Sequence, residues 1–373
     1  GRQPAHVTAI ASTEEERSAI ARLRHAVYAD ELQKSALLTA AAEPGELRDP
    51  EDERNGSYLH YVRVGDDVVG TLRSDCYPPG SAPSAFAERF SLDLLPELSD
   101  VATSEIARFV IAREFRSSRA ALALGLATYR HGAIGLGCHL SFSMAAPGLV
   151  HSYRRFGFQP YAARLISTPD GLRIPLIAIW SDAARLARLG SPLAALAIRH
   201  FGRGRSEAFD PTPIADRLLE QNTPLRTSTT LVSNEVERFA ATSPAILDGV
   251  SRRGLRWLSR EAMILDVPSG QLLMRRGVVD RELFVVIRGA LAVQPDAGKT
   301  LTRGPGEPVG EVALFTGAGA RTADVLASED TTLLVLRRRA ISRMVNDIPR
   351  SGARFLVNLA RCMAERTASS HQA

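Results

Sequence analysis

The residues with the clearest chemistry lie near the C-terminus, in the sequence GEVALFTGAGARTADV at 310–325. Gly310 and the residues after it can offer backbone N–H groups to a phosphate, and Glu311 can accept a hydrogen bond from a ribose hydroxyl. Arg321 and Thr322 can neutralise and hydrogen-bond a cyclic phosphodiester. Short β-type runs broken by glycine turns precede this stretch at 267–293. The set predicts a binding site for a cyclic nucleotide.

The segment from about 236 to 370 resembles the cyclic-nucleotide-binding domains of the catabolite activator protein type. The resemblance implies that Glu311 binds the ribose 2′-hydroxyl and that Arg321 and Thr322 bind the cyclic phosphate. It also implies roles in the phosphate cassette for Gly310, Val312, Ala313 and Ala323. A β-roll that has lost its ligand is the alternative, but such copies usually lose the acid or the arginine first.

Two points of this resemblance stay open. Asp324 stands directly after Arg-Thr-Ala, where the family usually has an uncharged residue. The side chains that read the purine come partly from the last helix, here around 361–370, and they cannot be assigned. The sequence therefore predicts cAMP or cGMP as the effector without choosing between them.

A second candidate site centres on Glu105, in the sequence EIARF. An amine that attacks a thioester must lose a proton, and a carboxylate in the cleft can take it directly or through one water. The leaving thiolate needs a proton, which Tyr153 of HSYRRFGF can donate. The alternative is structural, because Glu105 and Arg108 would face opposite sides of a regular strand and Tyr153 would simply fill space.

Further charged residues accompany Glu105 along the chain: Arg24, Asp49, Asp52, Arg73 and Arg108. In this order the set resembles the GNAT-related acyl-homoserine-lactone synthases and their relatives, the N-acyl amino acid synthases, over about residues 15–180. The resemblance implies that Arg108 acts with Glu105 and that the others orient acceptor or donor. A buried ion-pair network is the alternative role. The chain departs from the family at Ala107, where a serine is usual, and it lacks the usual tryptophan of the early loop.

The loop REFRSSR at 113–119 is the candidate site for the donor's phosphate. Backbone amides at a helix start, together with Arg116, Ser118 and Arg119, can cradle a phosphate group. The loop lacks the repeated glycines of an ordinary acetyl-CoA loop. The resemblance therefore favours an acyl carrier protein (ACP) thioester over acyl-CoA, which stays open, and predicts a tunnel for a long acyl chain beside the central strands.

The element pattern predicts an α+β fold, with a GNAT-like mixed sheet flanked by helices and then a cyclic-nucleotide-binding β-roll with flanking helices. The expected elements of the first part are a helix at 13–32, a hairpin of 57–64 and 68–75, a strand at 104–112, a helix near 118–136, a strand at 138–145 and a helix from Pro147. We expect an acyltransferase domain at 1–185, a linker at 186–232 with an amphipathic helix, and a nucleotide-binding domain at 233–373.

Composition limits which partners and which cellular compartment are expected for this protein. The 373 residues carry a net charge of +5, almost all of it from arginine, since Lys34 and Lys299 are the only lysines. Three scattered cysteines indicate a reducing cytosol, with neither a disulfide framework nor a metal site. Ala133 to Val150 is too interrupted to span a membrane, although 191–205 has an apolar run beside a basic end that can rest on a bilayer surface.

These observations predict a cytoplasmic N-acyltransferase under the control of a cyclic nucleotide. The expected acceptor is an amino acid or another small amine, and the expected donor is a long-chain acyl thioester. The alternatives are a cAMP-regulated protein lysine acetyltransferase and an inactive nucleotide-sensing regulator. DNA is not an expected partner, because the chain ends at Ala373 where an activator of this type would continue into a helix-turn-helix. An acyl carrier protein and a second copy of the chain in a dimer stay open as partners.

Overall fold

The computed structural model describes residues 5–34, 44–98, 100–161, 164–202, 223–280, 282–295, 298–316 and 319–370. These residues form two compact units, one built mainly from the chain before residue 203 and one from the chain after residue 222. The short segments 146–148 and 167–173 are counted with the second unit. Residues 203–222 of the linker predicted at 186–232 lie outside the described residues, so the predicted domain boundaries stay predictions.

The first unit is built on a mixed sheet. Its strands are β1 His6–Ile10, β2 Ser57–Val64, β3 Asp67–Tyr77, β4 Thr103–Ile111, β5 Leu140–Ala145, β6 Gln159–Pro160, β7 Ile166–Thr168 and β8 Gly171–Ile179. The strand order is β1-β2-β3-β4-β5-β8-β6, with β7 paired to β8. β4 and β5 pair in parallel, whereas β2 with β3, β3 with β4 and β5 with β8 pair antiparallel.

Helices flank this sheet. They are α1 Glu14–His25, α2 Ser84–Arg89, α3 Ala120–Tyr129, α4 Val150–Arg154, α5 Ala183–Arg188 and α6 Ala194–Phe201. α1 begins with a capping box, in which the Thr13 side chain accepts from Glu16 N and Glu16 reaches back to the backbone of Thr13. α1 continues as a π-helix over Ala26–Glu31, and α3 continues as a π-helix over Arg130–Gly135. The helices predicted at 13–32 and near 118–136 are thus confirmed, and each ends in a π-helical segment instead of a regular α-helical turn.

The second unit consists of two antiparallel sheets that form the β-roll. Its strands are β9 Leu225–Arg226, β10 Met263–Val267, β11 Leu272–Met274, β12 Glu282–Arg288, β13 Leu291–Gln294, β14 Leu301–Arg303, β15 Pro308–Val309, β16 Asp324–Ala327 and β17 Thr331–Arg337. One sheet has the order β15-β12-β17-β10-β9 and the other the order β11-β16-β13-β14.

Helices that come before, between and after the main strands of the β-roll along the chain complete this unit. They are α7 Thr229–Ala241, α8 Arg252–Glu261, α9 Val312–Phe315, α10 Arg338–Asp347 and α11 Pro349–Ser370. Apolar side chains of α7 and α11 share one core with the strands, including Val236, Leu334 and Leu359, each fully buried. The mixed sheet with helices and the following β-roll with flanking helices confirm the predicted α+β class.

Candidate functional site

Glu105 lies on β4 in the interior of the first unit, and only 2% of its surface is exposed. Its Oε1 forms an ion pair with Arg89 Nη1 of α2 at 2.9 Å. Burial raises the pKa of Glu105. The guanidinium groups of Arg89 and Arg73 lower this pKa, the carboxylates of Asp75 and Glu51 raise it, and the net shift is upward. A buried carboxylate with a raised pKa is a stronger base than an exposed one and is suited to accept a proton from a substrate.

Arg73, on β3, is the centre of a buried ionic network. It forms ion pairs with Asp75 at 2.9 Å, with Asp49 at 2.8 Å and with Glu51. Asp52 Oδ1 lies 3.5 Å from Arg73 Nη1. The Arg73 side chain is only 2% exposed, so four carboxylates compensate one buried guanidinium group. This part of the predicted site takes the form of the ion-pair network that the sequence left as an alternative.

A β-bulge in β4 explains how Arg108 joins the same network. Arg73 pairs with Ala107 and Thr71 with Val110, so two residues of β4 lie opposite one residue of β3. Arg108 has a φ of 52°, in the left-handed region that is unusual for arginine. Its Nε contacts Asp49 Oδ2 at 2.6 Å, the same oxygen that Arg73 contacts. The strand is therefore not regular, and Arg108 joins the Arg73 network through Asp49, whereas the ion pair of Glu105 is with Arg89.

Asp49 and Asp52 are held by the turn Pro50–Glu53, whose backbone they cap. Burial opposes the charge of Asp49, but the guanidinium groups of Arg108 and Arg73 outweigh it and lower the pKa of Asp49 to about 2. Arg24 of α1 forms a buried ion pair with Asp52. In the part of the chain that the structure describes, Arg24 Nε and Nη2 have no hydrogen-bond partner.

A cavity of about 310 Å³ lies beside this network, lined in part by Arg24, Asp49, Asp52 and Leu59. Leu59 of β2 is the register partner of Arg73, so the cavity lies one strand away from the centre of the network. It thus offers both guanidinium and carboxylate groups to a small molecule. The four residues predicted to orient a substrate, Arg24, Asp49, Asp52 and Arg73, are brought together here.

Tyr153 lies on the short helix α4 and is half-buried. Its ring stands edge-on to Phe109, with centroids 6.1 Å apart, and edge-on to Phe158, with centroids 5.8 Å apart. Phe109 belongs to the bulge of β4, so Tyr153 packs beside the irregular part of the strand that carries Glu105. Its role as a proton donor stays a prediction.

The predicted phosphate loop at 113–119 already has partners within the first unit. Arg116 forms a two-pronged ion pair with Glu31, at 2.7 and 2.6 Å, and its Nε donates to Ile111 O. Ser118 Oγ accepts from Ala120 N at 3.1 Å, and Arg119 is exposed at the N-cap of α3. A phosphate that binds here would have to compete with Glu31 for Arg116, and this assignment stays a prediction.

In the second unit, Arg321 is buried at the centre of the predicted nucleotide site. Its Nη1 donates to the backbone oxygens of Glu282 and Gly310 at 2.9 and 3.1 Å, and its Nη2 pairs with the Glu282 carboxylate at 3.2 Å. Its Nε is buried and, among the described residues, has no hydrogen-bond partner. The guanidinium group is thus fixed in place, and its binding to a cyclic phosphate stays a prediction.

Gly310 allows the backbone to approach this arginine. Its φ is +85°, and a Cβ there would lie 2.4 Å from Arg321 Nη1. Val312 and Ala313 follow at the start of α9, where backbone N–H groups of the first turn lack intrahelical acceptors. Thr322 is exposed, whereas Ala323 is buried. Gly310 thus lies directly against Arg321, and the assignment of these residues to a nucleotide stays a prediction.

Glu311 is contacted by the last helix, α11. Its Oε1 lies 3.1 Å from Arg366 Nη2, and Arg366 Nη1 donates to Pro308 O at 3.1 Å. No local pattern indicates this partner, because Arg366 lies 55 residues away along the chain. The unusual Asp324 also has an explanation, since it pairs with Arg275 at 2.8 Å and accepts from Arg276 N at 2.7 Å.

Two searches of the described residues gave negative results. They contain no group of three or more histidine, cysteine or acidic side chains placed to hold a metal ion. No helix among them has the length and apolar character needed to cross a bilayer.

Two sequence families match separate parts of the chain. Residues 19–182 match the family described as N-acyl amino acid synthase FeeM. Residues 264–347 match the cyclic nucleotide-binding domain. The matched ranges contain the Glu105 site and the Arg321 site, respectively.

Individual relatives match only parts of the chain. Pycsar effector protein XpPycTIR of Xanthomonas perforans is 30% identical over 103 residues, which are 28% of this chain and 34% of the relative. BcPycTIR of Burkholderia cepacia is 26% identical over 109 residues, 29% of this chain and 36% of the relative. The chain thus matches about a third of the length of these curated relatives.

This chain can also be aligned with a solved structure of FeeM, an N-acyl amino acid synthase from uncultured soil microbes. The alignment spans 52% of this chain and 98% of the FeeM chain, with 14% identity and a TM-score of 0.39. The family matches agree with the resemblances found in the sequence. The chain therefore combines an N-terminal part that resembles the N-acyl amino acid synthase FeeM with a C-terminal cyclic nucleotide-binding domain.

Proposed function

We propose that this protein is an N-acyltransferase regulated by a cyclic nucleotide, which transfers an acyl group from a thioester to the amine of an amino acid or another small molecule. The observation that carries the proposal is the buried carboxylate of Glu105 beside the bulge of β4, within the FeeM-like part of the chain. Its raised pKa and its location fit a general base.

The reaction forms a C–N bond and breaks the C–S bond of the thioester. The bound ammonium group first loses one proton to water, the neutral amine then attacks the thioester carbonyl while Glu105 takes the second proton, and Tyr153 gives a proton to the leaving thiolate. A bulge leaves one residue of the strand outside the regular ladder, so a backbone N–H near Arg108 can stabilise the developing oxyanion.

The acceptor is assigned to the cavity beside Arg24, because an amino acid carries both a carboxylate and an ammonium group. Arg24 can bind the first and Asp49 or Asp52 the second. The donor is a long-chain acyl group on an acyl carrier protein or on coenzyme A. Its phosphate is assigned to Arg116, Ser118 and Arg119, and its chain to the apolar cluster that contains Phe86, Phe90 and Phe142.

The nucleotide is assigned to the cassette in the second unit. Arg321 Nε is positioned to donate to the cyclic phosphate, and Glu311 to accept from the ribose. Binding that favours one conformation by 1 to 3 kcal/mol would change the acyltransferase response by roughly 5 to 150-fold. We expect the nucleotide-free protein to be the less active form.

Mass spectrometry of reaction products tests the proposal on the full chain. Acyl-ACP and acyl-CoA donors of increasing chain length are incubated with mixed amino acids, with and without cyclic nucleotides of the four common bases. We expect the parent protein to form N-acyl amino acids and Glu105→Gln to form them at a rate lower by a factor on the order of a hundred or more. We expect the cyclic nucleotide to change the rate of the parent protein but not that of Arg321→Ala. Acetylated lysines as the main product would favour a protein acetyltransferase, and no acyl product with any donor would refute the proposal.

A further inference from the structure

The ion pair between Glu105 and Arg89 points to a role for a residue outside the charged set that the sequence singled out. We propose that Arg89 is the positioning residue of Glu105, which binds this carboxylate through a charge-assisted hydrogen bond and fixes its orientation toward the acceptor amine. The inference rests on the proposed function, because it assigns Arg89 to the same reaction.

The geometry of the pair supports this role. Arg89 Nη1 lies 2.9 Å from Glu105 Oε1, and the side chains are 27% and 3% exposed. A partly exposed arginine on α2 thus reaches a carboxylate in the interior of the unit. Because Arg89 binds Oε1 of Glu105, we assign Oε2 as the atom that accepts the proton of the acceptor amine.

The other groups that face Glu105 give the carboxylate little net support. β3 contributes Asp75 and Arg73, and the turn Pro50–Glu53 contributes Glu51. The register partner on β5 is the apolar side chain of Phe142. Arg73 is itself shared among four acids, which leaves Arg89 as the principal cation for Glu105.

Aromatic packing holds Arg89 in place. Phe86 on α2 and Phe90 directly after it are 2% and 0% exposed, and their ring centroids lie 5.5 and 5.4 Å from that of Phe142. The Tyr161 hydroxyl also donates to Phe90 O. Because Phe142 lies opposite Glu105 in the sheet, these contacts fix α2 next to the carboxylate that Arg89 binds.

The arrangement addresses a specific chemical problem. Burial raises the pKa of Glu105 and so favours the protonated carboxyl group, which cannot act as a base. Arg89 lowers the pKa of Glu105 and so favours its ionised form, while the net upward shift makes this carboxylate a stronger base than an exposed one. Proton uptake converts the ion pair into a hydrogen bond to a neutral acid, which requires no change in the charge of Arg89.

Nuclear magnetic resonance of the full chain, labelled with ¹³C at the glutamate carboxyl carbon, tests the pair without any activity. The Glu105 signal is identified by its loss in Glu105→Gln and then followed through a pH titration. We expect Arg89→Met to raise its midpoint by about one pH unit or more. Arg164→Met is the matched control, because Arg164 pairs with Asp93 at the surface, where the side chains are 76% and 60% exposed. Equal midpoints in the parent and in Arg89→Met would overturn the proposal.

Kinetics separate positioning from a purely structural role. In Arg89→Met the apparent pKa of the acid limb of the kcat/KM profile should rise by the same amount as the titration midpoint of Glu105. Arg89→Lys should bring this apparent pKa most of the way back to the parent value. An unmoved acid limb with a uniformly lower rate would assign Arg89 to structure alone. Arg89→Gln serves as a second variant if the methionine variant does not fold. If no thioester is turned over at all, the proposed function fails, while the titration still decides whether Arg89 controls Glu105.

Discussion

Two buried arginines, one in each unit, differ in the acids that surround them. Arg73 in the first unit has four carboxylates around it, and its Nη1, which forms no aligned hydrogen bond with a described residue, still lies 2.8 Å from Asp49 Oδ2. Arg321 in the second unit has one acid and two backbone oxygens, and its Nε has no hydrogen-bond partner among the described residues. Both side chains are almost completely buried, at 2% and 3% exposed.

The difference separates structural arginines from ligand-binding ones. A buried guanidinium group surrounded by acids has little capacity left for an added anion, so Arg73 organises the elements that carry Asp49, Glu51 and Asp75. A buried guanidinium group that retains a free donor is costly without a ligand and gains from a phosphate. The four predictions that follow test this comparison, from the largest expected effect to the smallest.

Replacing Arg73 by Met should give the largest loss of stability. It leaves several buried carboxylates without their cation, a change that typically costs about 3 to 5 kcal/mol. The chain has two tryptophans, and Trp180 lies in the first unit whereas Trp257 lies in the second. Denaturant unfolding followed by Trp180 fluorescence in a Trp257→Phe background therefore reports on the first unit. Arg164→Met is the surface control, and a loss below about 1 kcal/mol in Arg73→Met would contradict the structural role.

Replacing Arg321 by Ala should abolish tight nucleotide binding while leaving Trp180 unfolding unchanged. The expected loss is about 2 to 4 kcal/mol, or roughly 30 to 1000-fold in Kd, because a desolvated charge pair loses one partner. Calorimetry with the full chain measures it. The control is Arg288→Ala, which removes a 56% exposed arginine from the end of β12. Equal affinity in the Arg321 and Arg288 variants would show that the phosphate binds elsewhere.

The network of the first unit should make stability depend on acid pH through Asp49. The pKa of Asp49 is about 2, below its ordinary value of 3.8, so its contribution is complete above pH 3.8 and is lost as the pH falls toward 2. The contribution is at most about 2 kcal/mol. Trp180 unfolding at pH 5 and pH 2.5 should show a smaller difference in Asp49→Asn than in the parent. The same difference in both proteins would remove Asp49 from the explanation.

Two glycine variants test the approach of the backbone to Arg321. Gly310 and Gly277 both have a φ of +85°, but a Cβ at Gly277 would meet nothing within 4 Å, whereas one at Gly310 would lie 2.4 Å from Arg321 Nη1. Alanine at either position should cost about 1 kcal/mol of stability through the left-handed backbone. Only Gly310→Ala should also weaken nucleotide binding, by roughly tenfold or about 1.4 kcal/mol. Calorimetric titrations that find both variants equally weakened would point to a general strain effect.

Much of the fold could be predicted from local sequence signals. The β2–β3 hairpin follows from its alternating side chains and from the turn at Gly65 to Asp67, which lie within one short stretch. Thr13 and Glu16 mark the start of α1 in the same way. The nucleotide cassette was identifiable because Gly310, Glu311 and Arg321 lie within twelve consecutive residues.

Contacts between distant segments could not be predicted. β1 and β8 were missed, since the first has only five residues and the second has Pro175 inside a continuous apolar run. The partner of Glu105 was missed because Arg89 lies on a helix of only six residues, although Phe86 and Phe90, four positions apart, were a signal for one buried helix face. The bulge at Arg108 depends on the pairing of β4 with β3, which one sequence does not show.

The ionic network of the first unit is also balanced in charge, since four arginines face four acids: Arg24, Arg54, Arg73, Arg108, Asp49, Glu51, Asp52 and Asp75. A balanced network presents little net potential, so it neither attracts an acceptor that arrives as an ammonium ion nor repels a donor that carries phosphate. Added salt would screen any such steering. The KM values for acceptor and donor should therefore both change little with ionic strength, although the acceptor cavity is lined by charged side chains.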